Sequence, residues 1–133
     1  MQLKQAVTTP PILAYPKFDT MFTVSMDASD TAMGAVLSQI QEGKERVIAY
    51  RSSQLDKAQR HYSTIEREAL AVVSAIKEFY PYLYGFKFEL VTDHNPLTSL
   101  KGLHDVGGRI TRWILFLQQF DFTTVHKPGR SNC

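Results

Sequence analysis

Asp27 and Asp93 occupy similar local settings, and both settings invite chemistry. Asp27 closes the run Phe22-Thr23-Val24-Ser25-Met26, whose apolar and polar residues alternate as in a half-buried strand. Asp93 closes a comparable run, "FKFELVTD", at positions 86–93. Aspartate is depleted in strands, so each position has two readings: the first residue of a turn, or a ligand held in one direction by rigid backbone. If a crossover returns the later strand to the side of the earlier one, as such units commonly do, the two carboxylates become neighbours. Two carboxylates ~4 Å apart repel by about 4 kcal/mol at an effective dielectric of ~20, which is large against the marginal stability of a domain. A shared proton or a cation relieves the repulsion, and an all-oxygen set suits Mg²⁺ or Mn²⁺.

A third carboxylate is expected from a helix, and "YSTIEREAL" (62–70) offers Glu66 and Glu68. On a helical projection each lies about 80° from the centre of the apolar stripe, on opposite edges. Periodicity does not choose between them. Arg67 is expected to face solvent, and the unused glutamate to be a solvated residue of the same helix.

The elements that must position these groups follow from patterning. Prolines 10, 11 and 16 limit residues 1–21 to a short helix and an extended lead-in, which reads as a tail from a preceding domain. Strand-like runs follow at about 22–28, 34–41 and 45–53, the last two joined by a hairpin turn at Glu42-Gly43-Lys44. These three predict an antiparallel meander. A long helix is predicted over about 57–80, with Tyr62, Ile65, Ala69, Val72, Val73, Ile76, Phe79 and Tyr80 as its apolar stripe and Pro81 and Gly85 as stops. After the fourth strand, Asn95 is a good N-cap and Pro96 a good first helical residue. A helix over about 109–119 and a fifth strand over 120–127 complete the order β-β-β-α-β-α-α-β. That order predicts an α/β chain with a five-stranded mixed sheet. Tyr82, Tyr84, Phe86 and Phe88 read as core and edge packing.

Composition sets the outer limits. The chain has 133 residues, 44% of them hydrophobic and 21% charged, which suits one folded domain. A net charge of +2 carries no global signature of nucleic-acid binding, although a local patch is compatible with it. The single cysteine, Cys133, excludes a disulfide framework and a cysteine-based metal site within these residues. No apolar run reaches the ~18 residues of a membrane span, and no signal peptide is visible, so an intracellular location is expected.

Four motifs in order, "MDASDTAMGAVLSQ", "YSTIEREALAVVSAI", "LVTDHNPL" and "HKPGRSN", resemble the ribonuclease H domain of the reverse transcriptase of gypsy-type long-terminal-repeat retrotransposons. The resemblance covers nearly the whole chain, because "PILAYPKFD" is similar to the segment joining the polymerase part to that domain. It implies an RNase H-like fold over 22–133 and a lead-in over 1–21 from the polymerase connection. It also implies a retroelement protein of the cytoplasmic particle or the nucleus. In the family, the catalytic glutamate is followed by alanine three residues on and a small residue seven on. Glu68 meets this with Ala71 and Ala75, so the resemblance assigns Glu68 and leaves Glu66 as the fallback.

The implied catalytic and metal-binding set is Asp27, Glu68 and Asp93. The implied activity is two-metal hydrolysis, with two Mg²⁺ or Mn²⁺ ions, of the RNA strand of an RNA/DNA hybrid, alongside the polymerase domain of the same polyprotein. Candidate substrate contacts are Ser29, Asn95, Arg112, His126, Lys127 and Arg130, with Arg109 as a further phosphate contact. His126 stands where some relatives carry a loop histidine; the alternative is an ordinary strand-end histidine. His94 reads as a helix-start residue. The family's fourth acidic residue lies beyond "PGRSN" on a terminal helix, past Cys133, so low activity that favours Mn²⁺ is expected of this chain. A non-catalytic module that tethers nucleic acid or a protein partner is the alternative, and three mutually repelling carboxylates speak against it.

Overall fold

Alternating patterning becomes five strands in a computed structural model, which describes residues 12–104 and 106–126. Strand β1 (Phe22–Ala28) pairs antiparallel with β2 (Ala32–Gln41), and β2 with β3 (Lys44–Gln54). The predicted meander is therefore present. Its second hairpin turns on two residues, Glu42 and Gly43, with φ of 55° and 78°. This is the left-handed pair that a tight hairpin turn requires to match strand twist. A bulge at Leu37/Ser38 passes over Ile48 of β3, which is buried.

Helix α1 (Thr64–Glu78) then crosses over the sheet, followed by a four-residue helix α2 (Tyr80–Leu83). Strand β4 (Lys87–Val91) returns beside β1 and parallel to it. Helices α3 (Pro96–Leu100) and α4 (Arg109–Leu117) precede β5 (Asp121–Val125), which pairs parallel with β4. The sheet order is β3-β2-β1-β4-β5.

The long helix starts later than its pattern predicts. Residues Gln59–His61 form a separate 3₁₀ turn, fixed by the Asp56 carboxylate accepting from Gln59 N–H at 2.7 Å. Ser63 then caps α1. Ile65 and Tyr80, placed in the apolar stripe by spacing, are 42% and 40% exposed. The buried face is instead carried by Ala69 to Val73, Ala75 and Ile76. All of these but Ala71 join Phe22, Val24, Leu37, Phe88, Leu90, Trp113, Leu117 and Phe120 in one core.

The segment before β1 is tied to the sheet. Ala14 N–H donates to Val47 C=O at 2.8 Å, and Lys17 N–H donates to Gln39 Oε1 at 2.7 Å. Gln39 Nε2 donates back to Lys17 C=O at 3.0 Å, so a fully buried amide is satisfied by this segment. Phe18 packs on Phe22, Tyr82 and Phe86. Residues 1–11, where a short helix is predicted, lie outside the described residues. No helix among the described residues is long and apolar enough to cross a membrane.

Leu90 is completely buried on the strand that carries Asp93 just beyond its end. Leu90→Ala is expected to cost about 2–5 kcal/mol, lowering the urea midpoint at unchanged slope. Leu115→Ala, at a 59% exposed position, is expected to stay within about 0.5 kcal/mol of the parent.

Candidate active site at the carboxyl ends of β1 and β4

The parallel register pairs Phe22 with Phe88 and ends on Ser25 with Val91. Asp27 and Asp93 each follow two residues beyond that last pair, so they stand at matched positions on neighbouring strands. Adjacent strands lie ~4.8 Å apart, so the backbone segments that carry the two aspartates leave the sheet at the same end. Asp27 is half-buried and still within β1, opposite Gly34 of β2, where no side chain competes for its space. Asp93 is exposed, in a bend after β4. His126, just past β5, contacts it directly through Nδ1 to Oδ1.

The start of α1 decides how the two glutamates are used. Ser63 Oγ accepts from Glu66 N–H at 3.2 Å, and Glu66 Oε1 accepts from Ser63 N–H at 3.1 Å. This reciprocal capping box satisfies two backbone donors that a helix start leaves open. The other oxygen, Oε2, accepts from Arg109 Nη2 at 2.6 Å. Both oxygens of Glu66 are therefore occupied, whereas Glu68 is exposed. Arg67 does not point freely to solvent as its position on the wheel predicts. It bridges to Asp30 at 3.3 Å and reaches Arg60 C=O at 3.5 Å. Because Asp30 lies three residues after Asp27, this bridge holds the first turns of α1 beside the carboxyl end of β1.

Asp27 and Asp93 thus belong to one end of the sheet, and the Arg67–Asp30 bridge brings the start of α1, with Glu68, to the loop after β1. Among the described residues, no three His, Cys, Asp or Glu side chains are gathered closely enough to close around an ion. The donors are all carboxylate oxygens, the chemistry that hard divalent cations prefer. Glu68 and Asp93 are exposed, Asp93 in contact with His126.

The remaining sequence candidates have structural partners of their own. Ser29 shapes the turn after β1, its Oγ accepting from Ala32 N–H at 3.1 Å. Asn95 caps α3 by accepting from Leu97 N–H at 2.9 Å, with Pro96 following as predicted. His94 N–H donates to Thr92 Oγ1 at 3.4 Å. Arg112 donates to Gly107 C=O at 3.0 Å and remains exposed. Lys127 and Arg130 lie outside the described residues. Arg109, read from sequence as a phosphate contact, is instead drawn inward, paired with Glu66 and lying 4.1 Å over the Tyr62 ring. Of the aromatics, Phe88 is core, while Tyr84 and Phe86 are about half exposed. The cap had a sequence signal, since Ser63-Thr64-Ile65-Glu66 fits the capping-box pattern. The Arg109 pairing had none.

The topology, with acidic residues at the carboxyl ends of two adjacent parallel strands, defines an RNase H-like fold. Comparison with known proteins gives the family. The model of the RNase H-like domain found in reverse transcriptase matches residues 17–120. The retrovirus-related Pol polyprotein from transposon opus of Drosophila melanogaster is 39% identical over 98% of this chain, and the Tf2-3 transposon polyprotein of Schizosaccharomyces pombe 36% identical over 98%. The chain spans only 13% and 10% of those relatives' lengths. Among solved structures, a foamy viral protease-reverse transcriptase in complex with dsDNA superposes with a TM-score of 0.75 over 95% of this chain and 27% of its own, at 14% identity. The same protein in complex with an RNA/DNA hybrid gives 0.67 over 96% of this chain and 18% of its own, at 16% identity. The chain belongs to the RNase H-like domains of reverse transcriptases, and its relatives are retrotransposon Pol polyproteins.

The Arg109 hydrogen bond holds the Glu66 carboxyl below its ordinary value of 4.5, helped by the Ser63 hydrogen bonds and partly opposed by burial. A group depressed in the folded state adds stability above its unfolded pKa and loses it as pH falls through the folded pKa. Glu66→Gln is therefore expected to be less stable than the parent at neutral pH. The gap should narrow as pH drops below 4.5, read as converging urea midpoints; a gap independent of pH would contradict the ion pair.

Proposed function

We infer that this chain is the ribonuclease H domain of a retrotransposon reverse transcriptase, a metal-dependent endonuclease acting on the RNA strand of RNA/DNA hybrids. The observation that carries the reading is the matched placement of Asp27, near the end of β1, and Asp93, just past the end of the adjacent parallel strand β4, each two residues beyond the last pair. Glu66 is consumed by the helix cap and Arg109, which supports Glu68 as the third acidic group. Asp27 still lies within β1, paired opposite Gly34 of β2, so its backbone is the most firmly held of the three. Asp93 and Glu68 would complete the set around it.

When bound, two Mg²⁺ or Mn²⁺ ions would supply Lewis-acid activation of water and neutralise charge on the leaving oxygen. The chain's own residues have other tasks. Three carboxylates drawn together around a cation would have their mutual repulsion relieved by it. His126, against Asp93, keeps that carboxylate turned toward β5 until an ion competes for it. Asn95 and Ser29 present backbone turns flanking the two aspartates, and Arg112, Lys127 and Arg130 supply positive charge for phosphates. Preference for hybrid would rest on duplex shape and on 2′-hydroxyl contacts. The RNA/DNA hybrid held by the foamy viral relative supports this substrate class.

A non-catalytic tethering module is the second reading, favoured by the absence of a gathered carboxylate cluster among the described residues. Cleavage of an end-labelled RNA/DNA hybrid in Mg²⁺ and in Mn²⁺ separates the two. Asp27→Asn, Glu68→Gln and Asp93→Asn are each expected to reduce cutting of the RNA strand to background. Glu66→Gln should still cut at saturating Mn²⁺. Hybrid binding without cutting by the parent chain would favour the tethering module, and full activity of Glu68→Gln would remove Glu68 from the set.

A further inference from the structure

The Arg109 guanidinium is held from several sides. Its Nη2 donates to Glu66 Oε2 at 2.6 Å, its centre lies 4.1 Å over the Tyr62 ring, and Trp113 stands 5.6 Å away. Tyr62 and Trp113 also pack edge to face at 6.1 Å. The ion pair is largely shielded, with side chains 24% and 17% exposed, so it is screened less than a surface pair. The two ends joined are both helix starts. Glu66 is in the first turn of α1, and Arg109 opens α4 directly after Gly107 and Gly108, both at positive φ. Gly108 caps α4 without a side-chain hydrogen bond, so the start of α4 has little local definition of its own. Glu68 lies two residues past Glu66.

We propose that Arg109 is a positioning residue for metal capture, clamping the start of α1 to the start of α4 and so setting where Glu68 stands relative to Asp27 and Asp93. The inference rests on the ribonuclease reading above and adds to it a residue that touches neither ion nor nucleic acid. Helix ends open locally at low free energy unless tertiary contacts hold them. Here one contact is the Arg67–Asp30 bridge, whose aspartate is 90% exposed and contributes little. The Glu66–Arg109 pair is the stronger hold on the turn that carries Glu68. Arginine suits the task because a planar guanidinium stacks on Tyr62 while donating in-plane to Glu66, which a lysine ammonium does not reproduce. A phosphate contact through Nη2 would require the ion pair to open, since that nitrogen donates to Glu66.

The test is Mn²⁺ binding without nucleic acid, read from the spin-resonance signal of the free ion, for the parent chain, Arg109→Gln, Arg109→Lys and Glu66→Gln. Loss of a residue that orients a metal ligand typically weakens affinity by about tenfold or more. Arg109→Gln is expected to show that weakening and Arg109→Lys a smaller one. The KM for hybrid at saturating Mn²⁺ and the salt dependence of hybrid binding should be unchanged. If Arg109→Gln fails to fold, Glu66→Gln answers the same question, because its amide oxygen still accepts from Ser63. Unchanged Mn²⁺ affinity with a raised KM for hybrid would make Arg109 a phosphate contact and overturn the proposal, leaving the ribonuclease reading intact. A parent chain that binds no Mn²⁺ and cuts no hybrid would overturn both.

Discussion

The parallel pairing of β1 with β4 is the constraint on which the rest of this domain depends. It joins segments far apart in sequence and is reached only by carrying the chain across the sheet through α1. Its cost in loop-closure entropy is recovered through a continuous buried face: Phe22, Val24, Phe88 and Leu90 are all 1% exposed or less. Thr23 Oγ1, donating to Glu89 Oε1 at 3.3 Å, ties the same two strands on their other face. With that register fixed, Asp27 and the bend that carries Asp93 come to the same end of the sheet.

The charged residues of the first turns of α1 are divided among different partners. Glu66 is drawn away from the sheet end by a helix cap and an arginine, and Arg67 is drawn toward it by Asp30. Neighbouring acidic and basic residues on one helical turn therefore do opposite things: one closes the helix, one tethers it, and Glu68 is left at the surface. Glu68 and Asp93 are both exposed, Asp93 against His126, while Glu66 and Arg67 of the same helical turn are held by Arg109 and Asp30.

Much of this was legible in the sequence because it depends on local patterning. The alternation from Phe22 to Met26 ended on Asp27, and the strand runs there; Asn95-Pro96 signalled a capped helix, and the cap is made. The return of the fourth strand to the first followed from the crossover order. What could not be read depends on contacts between distant residues. Glu66 and Glu68 are symmetric about the apolar stripe, and the partner that separates them, Arg109, lies 43 residues on. Arg67 appears solvent-facing on a wheel, yet Asp30, from a different turn, captures it. Ile65 and Tyr80 fit the helical period, but Ile65 lies in the first turn of α1 and Tyr80 past its end, and both are exposed.

The central claim is that Asp27, Glu68 and Asp93 form one divalent-metal site at the carboxyl ends of β1 and β4. The most direct measurement is paramagnetic broadening of backbone amide signals during a Mn²⁺ titration. Broadening should centre on residues 27–29, 68 and 92–94 together, at one common concentration dependence, and should be lost from all three in Asp93→Asn. Broadening scattered over other acidic surface positions, or confined to one of the three segments, would contradict a shared site.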